Sequence, residues 1–233
     1  MLDLPWASGF MDSWSRGTTQ QLLAALDALP IFPLPQTVLF PGALLPLHVF
    51  EPRYRAMVRD CISGHKAVAV ALIREGAERD HHGHPAIEPI AGLGVIIDHV
   101  SLSDGRYNIL LNGRARVELQ ELPFIPPYRR ARATLVESVP GELGTRDVMA
   151  LLASAAAFAA DIRARDPEFD FRIPPRTNAG TAADLAAHHL VLDARERQAL
   201  LEMRDIAARV RRTTEALALQ HAALQTAVRG PLN

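Results

Sequence analysis

Side chains able to do chemistry fall in four short stretches of this sequence. Arg79-Asp80-His81-His82-Gly83-His84 sets three imidazoles and a carboxylate within five residues, and imidazole is a good ligand for zinc, copper or nickel. The stretch carries a glycine, has no cysteine partner and offers no helical i, i+4 pair to hold ligands rigidly, so a solvated hairpin loop without metal is expected. Cys61 and His65 have i, i+4 spacing, but Gly64 between them is a helix stop, which separates thiol from imidazole and leaves Cys61 as a core residue. His188 and His189 are adjacent on a predicted helix and point in different directions, so they are not expected to share a metal. Glu51, Arg53 and Tyr54 combine a carboxylate, a guanidinium and a phenol within four residues. A charge-assisted Glu-Arg contact and a packed tyrosine at a strand-to-helix corner account for them without catalysis. No G-x-x-x-x-G-K-[ST] loop occurs, so no recognised device cradles nucleotide phosphates.

The elements that must position these groups begin with LPIFPLPQTVLFPGALLPLHVFEPRYR, residues 29–55. Pro30, Pro33, Pro35, Pro41 and Pro46 cannot donate ladder hydrogen bonds, which confines the flanking apolar runs, 31–34 and 44–50, to strand starts, edges and bulges. A helix is predicted over 52–64, with Pro52 in its first turn and Tyr54, Met57, Val58 and Cys61 toward one side. The nearly continuous apolar run 67–73 predicts a buried strand, and 87–100 a second strand bent at Gly92 and Gly94. Ser103-Asp104-Gly105 signals a hairpin leading into Tyr107 to Leu111 and beyond. After the break at 123–127, residues 128–136 alternate as a strand. Six or so short, bent strands favour a closed or nearly closed barrel. From 146 to 164 the period becomes helical, 166–180 is a proline-rich loop, and two helices follow over about 181–192 and 193–223. The second aligns Leu200, Met203, Ile206, Val210 and Leu217 in one stripe.

Length and composition are those of a globular protein: 233 residues, 48% hydrophobic, net charge −1. That balance excludes a global field toward nucleic acid or anionic membrane. No run reaches the roughly 18 apolar residues of a membrane span, and MLDLPWASGF lacks the positive charge of a signal peptide. One cysteine suits a reducing compartment, so the cytoplasm is expected. In the lead-in, 1–28, Trp6, Phe10 and Trp14 recur at helical spacing and are expected to dock on their own domain.

The segment 29–55 with its EPRY motif resembles the opening of the Lon protease N-terminal, substrate-binding domain. DGRYNILLNGRARVELQEL and PYRRARATLVES resemble its continuing barrel, and ADLAAHHLVLDARERQALLEMRDIAARVRR its helical tail. The order is that of the family, and coverage runs over roughly 29–220. The resemblance implies an α+β fold, a PUA-like pseudo-β-barrel of about six strands over 29–140, then a C-terminal α-helical subdomain over 141–233. It further implies a protein- or peptide-binding module without implying which ligand it holds; an adaptor or regulator of protein quality control is one role it leaves open, with client segments and a Lon protease as candidate partners. No catalytic residue and no cofactor are expected, because Lys66 is the only lysine and cannot supply the family's Ser-Lys peptidase dyad from within the binding domain. The candidate peptide surface is the apolar material that prolines keep irregular, Phe40, Leu45, His48 and Phe50, with Arg114 at its rim.

Some PUA-like barrels bind RNA, which is the main alternative. Arg106, Arg114, Arg116, Arg129, Arg130 and Arg132 fall on neighbouring predicted strands, but Glu118, Glu121 and Glu137 interleave and base-stacking aromatics are lacking, so a mixed-charge sheet face is expected. The six arginines between 195 and 212 alternate with Glu196, Glu202 and Asp205, the pattern of a salt-bridged surface.

Overall fold

The computed structural model describes residues 22–229, and the lead-in aromatics Trp6, Phe10 and Trp14 lie outside the described residues. A short 3-10 turn precedes β1 (Leu29–Leu34); then come β2 (Leu44–Val49), α1 (Pro52–Ser63), β3 (Ala67–Leu72), β4 (Ile90–Ser101), β5 (Tyr107–Glu121) and β6 (Arg130–Val136). Four helices follow: α2 (Thr145–Arg163), α3 (Ala179–Leu190), α4 (Ala194–Glu202) and α5 (Ile206–Arg229). The strand order is β2-β5-β4-β3-β1-β6, and β6 also pairs with β5, so five strands close into a barrel and β2 is left as an appended edge. β5 is long enough to serve both neighbours: residues 107–112 pair with β2 and 116–121 with β6.

Two cores follow from strand alternation. The barrel interior holds Leu29, Ile31, Ala67, Ala69, Ala71, Ala91, Leu93, Val117, Ala131 and Ala133. Alanine recurs there because a five-strand barrel leaves little room inside. The opposite faces of the same strands, with Val68, Val70, Ile96, Ile109 and Leu111, share a larger core with α1 and the C-terminal helices, through Leu151, Phe158, Leu190, Leu200 and Leu217.

Gly92, Gly94 and Gly113 allow a chain crossing rather than only a bend. The segment 38–43, buried at all but Pro41 and Gly42, runs directly over them: a Cβ at Gly92 would lie 2.0 Å from the Leu39 carbonyl oxygen, and one at Gly113 2.0 Å from that of Phe40. Gly113 N–H donates to Ala43 O at 2.8 Å and Gly42 N–H to Gly113 O at 2.9 Å, so the crossing is stitched by backbone bonds.

The helix expected over 193–223 is two helices. Asp205 breaks it by accepting from Ala208 N–H at 2.8 Å as an N-cap. The linker after β6 adds a bridge, with Val139 N–H donating to Arg204 O at 2.8 Å and Ile206 N–H to Val139 O at 3.0 Å. Gly64 does end α1, yet with φ −120°, and the left-handed residue of that corner is Lys66 at φ 58°.

Candidate functional site

Among the described residues β2 is the strand with a neighbour on one side only, and its register divides its residues by face. Leu44, Pro46 and His48 lie opposite Asn112, Leu110 and Asn108 on β5, and Asp98 and Val100 of β4 lie opposite Leu110 and Asn108. Directly opposed residues share a face, so these side chains form one surface pointing away from the larger core. Leu44, Phe50 and Val100 stand exposed on or beside it, at 45%, 61% and 54%. Proline has no N–H to give to β5, so Pro46 occupies a non-hydrogen-bonded position and leaves the outer edge one donor short.

Of the residues the sequence put on this surface, His48 and Phe50 are there, their rings 6.3 Å apart and nearly parallel. His48 Nδ1 lies 2.7 Å from Asn108 Oδ1, and Nε2 lies 3.2 Å from Arg106 Nη1. Leu45 belongs to the other face and packs, half-buried, on the larger core. Phe40 is fully buried because it rides the crossing segment, and its ring stands edge-on to His188 at 6.3 Å. It presents nothing to solvent. Arg114 is the bulged residue of β5 where the register shifts between Leu93 and Gly94, near the Leu44 end of β2 and away from Phe50. Burial lowers the pKa of its guanidinium. Leu44 and Val100 were missed; one residue of register decides whether Leu44 or Leu45 faces out, and composition does not reveal it.

Glu51, Arg53 and Tyr54 form a corner. Arg53 Nε donates to Glu51 Oε2 at 2.9 Å, its guanidinium sits 4.6 Å from the Tyr54 ring centroid, and that ring packs 4.6 Å from Phe32. Burial raises the Tyr54 phenol above its ordinary pKa, with the Arg53 charge opposing.

The other reactive groups are occupied. Cys61 Sγ donates to Ala67 O at 3.5 Å while His65 Nδ1 accepts from Ala67 N–H at 3.0 Å, so thiol and imidazole each hold the same backbone and not one another. Burial pushes the Cys61 thiol up to about 12. In the 79–84 loop, Asp80 Oδ1 accepts from the N–H groups of His82 and His84 at 2.9 and 2.8 Å, and the His82 and His84 rings pack on Phe124 at 4.9 and 4.5 Å. Among the described residues no group of three or more His, Cys, Asp or Glu side chains is arranged to hold a metal. His188 packs half-buried against the crossing segment, with Nδ1 3.1 Å from Val38 O; desolvation first, then its neighbour His189, pushes its pKa down to about 4.

The expected arginine-bearing sheet face needs correction at two positions. Arg116 is 4% exposed: Nη1 and Nη2 donate to Asp184 at 3.1 and 2.6 Å, and Nε donates to Leu201 O at 2.7 Å. Arg129 is tied to Glu121, with Nε to Oε2 at 2.8 Å. Arg209, expected on a surface, is 1% exposed, with Nε 2.9 Å from Asp184 Oδ1. One carboxylate on α3 thus binds guanidiniums from β5 and α5, joining barrel to helices. Arginine pairs bidentately with carboxylates, and a sequence shows charge without showing which charges fold inward.

Two depressions flank α4. The larger, about 1000 Å3, lies between the ends of β1 and β3 and the start of α4, with Leu72, Ile73, Arg74, Glu75, Leu192, Arg195 and Gln198 among its walls. The smaller, about 370 Å3, is lined by Ile90, Glu118, Leu135, Val136, Glu137, Glu202 and Arg204. Gln198, a wall residue of the larger depression, received no assignment from the sequence. Its spacing from Ala194 and Leu201 puts it on an inward stripe, and that was the signal to follow.

A closed five-strand barrel with an appended edge strand and a docked helical layer defines the class: a small α+β barrel module with an open edge and depressions beside α4. The chain belongs to the ATP-dependent protease La (LON) substrate-binding domain family, matched over residues 28–218. It is 28% identical over 195 residues to Lon protease 2 of Myxococcus xanthus, covering 82% of this chain and 23% of that protein. With Lon protease of Desulfosudis oleivorans it shares 24% over 205 residues, 87% of this chain and 25% of the other. The chain therefore spans about a quarter of the length of these curated relatives, and the match is to the substrate-binding domain alone. Among solved structures, a Lon N-terminal domain protein from Xanthomonas campestris aligns with TM-score 0.56 and 25% identity over 78% of this chain and 94% of the other. The N-terminal domain of Mycobacterium avium complex Lon protease aligns at 0.58 with 14% identity, over 82% and 98%.

Proposed function

We propose that this chain is a non-catalytic module that binds extended or unfolded protein segments, acting in the cytoplasm as an adaptor or regulator that presents clients to a Lon protease or withholds them. The observation that carries this is the apolar face on the open edge of the barrel. Leu44, Phe50 and Val100 are large, exposed and gathered on and beside the one strand that, among the described residues, has a neighbouring strand on one side only. An extended segment can add backbone bonds along such an edge and seat alternate side chains on the face, and Pro46 weakens the edge enough to discourage indiscriminate pairing. Family membership supports the same function class. Glu51, Arg53 and Tyr54 serve as the structural corner that fixes the exit from β2 into α1. An RNA-binding role loses two of its six arginines to internal ion pairs. No helix among the described residues is long and apolar enough to cross a membrane.

The test is fluorescence anisotropy with a permanently unfolded protein, reduced and carboxymethylated lactalbumin, as titrant. Wild type is expected to bind it saturably, and the combined Leu44→Ser, Phe50→Ser and Val100→Ser variant to bind about tenfold or more weakly. Equal binding by the two would remove this face from the function.

A further inference from the structure

The two depressions beside α4 meet at Glu202, which lines both. The larger is at the upper end of the usual size for small-ligand sites, roughly 300–1,000 Å3. Its cations are already committed. Arg74 Nε donates to Glu88 Oε2 at 3.1 Å, Arg195 pairs with Glu75, and Arg197 donates to the carbonyls of Val191, Leu192 and Gln36. Arg204, in the smaller depression, donates to the Glu137 carbonyl at 3.2 Å. The carboxylates at the junction are not matched: no ion pair among the described residues includes Glu118, Glu137 or Glu202.

Gln198 sits between the depressions at 5% exposure. Its Nε2 donates to Ile90 O and to Glu202 Oε1, each at 2.8 Å, which fixes the orientation of the amide. Its Oε1 is left buried without a donor, a state that costs free energy until a donor arrives. The unmet groups at this junction are acceptors and anions, and each depression also has apolar side chains in its mixed walls, Leu72, Ile73 and Leu192 in one and Leu135 and Val136 in the other.

We propose that this bipartite groove is a second binding site, selecting extended protein segments in which a lysine or arginine is flanked by apolar residues. The cation is held by Glu118, Glu137 and Glu202, and the apolar side chains lie in the wider depression. As Glu202 turns toward the cation, the Gln198 amide is uncovered and its Oε1 accepts an N–H of the segment. The site rests on the protein-binding function proposed above and adds a charge preference that the apolar edge face does not have.

The test is anisotropy with a labelled, end-blocked pentapeptide, acetyl-Leu-Ala-Lys-Ala-Leu-amide, and counterparts carrying norleucine or glutamate in place of lysine. The lysine peptide is expected to bind about tenfold tighter than either counterpart, and added salt should erode that preference. Glu137→Gln with Glu202→Gln, both at exposed positions, should abolish the preference. Ala199→Trp, exposed on the groove wall, should weaken all three peptides. Equal binding of the three peptides, or a lysine preference that survives the glutamine substitutions, would overturn the proposal. So would failure of every peptide to bind while the wild-type protein still captures unfolded lactalbumin, a result that leaves the edge-face function intact. Loss of lactalbumin binding as well would overturn both.

Discussion

Replacing Asp184 by asparagine should cost more stability than almost any other single change outside the apolar core. The side chains of Arg116, Asp184 and Arg209 are 4%, 5% and 1% exposed, so neither guanidinium can turn to water when the carboxylate is lost. Each keeps one or two neutral partners: Leu201 O for Arg116, and Met203 O and Ser138 Oγ for Arg209. These satisfy protons but leave two positive charges facing one another. Breaking a buried ion pair from one side costs about 3–5 kcal/mol. For a domain of this size, 1 kcal/mol moves the thermal midpoint by about 2–4 °C, so Asp184→Asn should lower it by about 6–20 °C. Urea denaturation monitored by circular dichroism would measure the loss, and an unchanged m-value would show that the same surface is exposed on unfolding. Because Arg116 also holds the Leu201 carbonyl on α4, the groove wall should loosen and its peptides bind more weakly. The companion variant Arg116→Met, Asp184→Leu, Arg209→Met removes all three charges and should recover most of the stability. An Asp184→Asn midpoint within about 2 °C of wild type would refute the reasoning, since it would imply a change below about 1 kcal/mol.

Gly113→Ala should abolish or severely destabilise folding, because its Cβ would sit 2.0 Å from the Phe40 carbonyl oxygen and backbone cannot step aside; Gly83→Ala, with nothing within 4 Å and only a φ of +78° to object, should cost about 1 kcal/mol. Thermal melts of both variants check this. His188, with a folded pKa near 4 against 6.5 unfolded, takes up its proton more readily in the unfolded chain, so stability should be full above pH 6.5 and fall as pH drops through the window from 6.5 to 4. The loss is on the order of 2–3 kcal/mol, and His188→Asn should flatten that part of a stability-pH profile. Cys61, with its thiol held near 12 and buried, should resist a thiol-specific disulfide reagent at pH 8 in the native protein and react as one equivalent in denaturant; rapid native labelling would contradict its packing.

Most of the barrel was legible because its signals are local. Pro35 follows the end of β1, Pro41 falls between strands and Pro46 lies on the edge strand, the run 67–73 is apolar enough to be buried on both sides, and Asp104-Gly105 turns the hairpin, with Gly105 at φ 80°. What was not legible depends on distant chain meeting chain. Gly92 and Gly94 read as a bend, yet their reason is the crossing of Leu39 and Phe40, which also takes Phe40 out of the candidate surface. The break at 203–205 is invisible in a helical pattern without the Val139 bridge that rewards it. Arg116 and Arg209 read as surface charge because their shared partner is Asp184, 68 residues from Arg116 in sequence. Of the five residues expected on the surface, His48 and Phe50 lie on the exposed face of the edge strand, and strand register sets Leu44 and Val100 beside them.

The proposed function depends on what the open edge of the barrel binds. Parallel anisotropy titrations of the wild-type protein with labelled unfolded lactalbumin and with a labelled RNA hairpin at physiological salt put this most directly. Saturable binding of the unfolded protein, weakened by the Leu44, Phe50 and Val100 substitutions, with no comparable binding of RNA, is the predicted result. Tight RNA binding that those substitutions leave unchanged, with no binding of the unfolded protein, would contradict it.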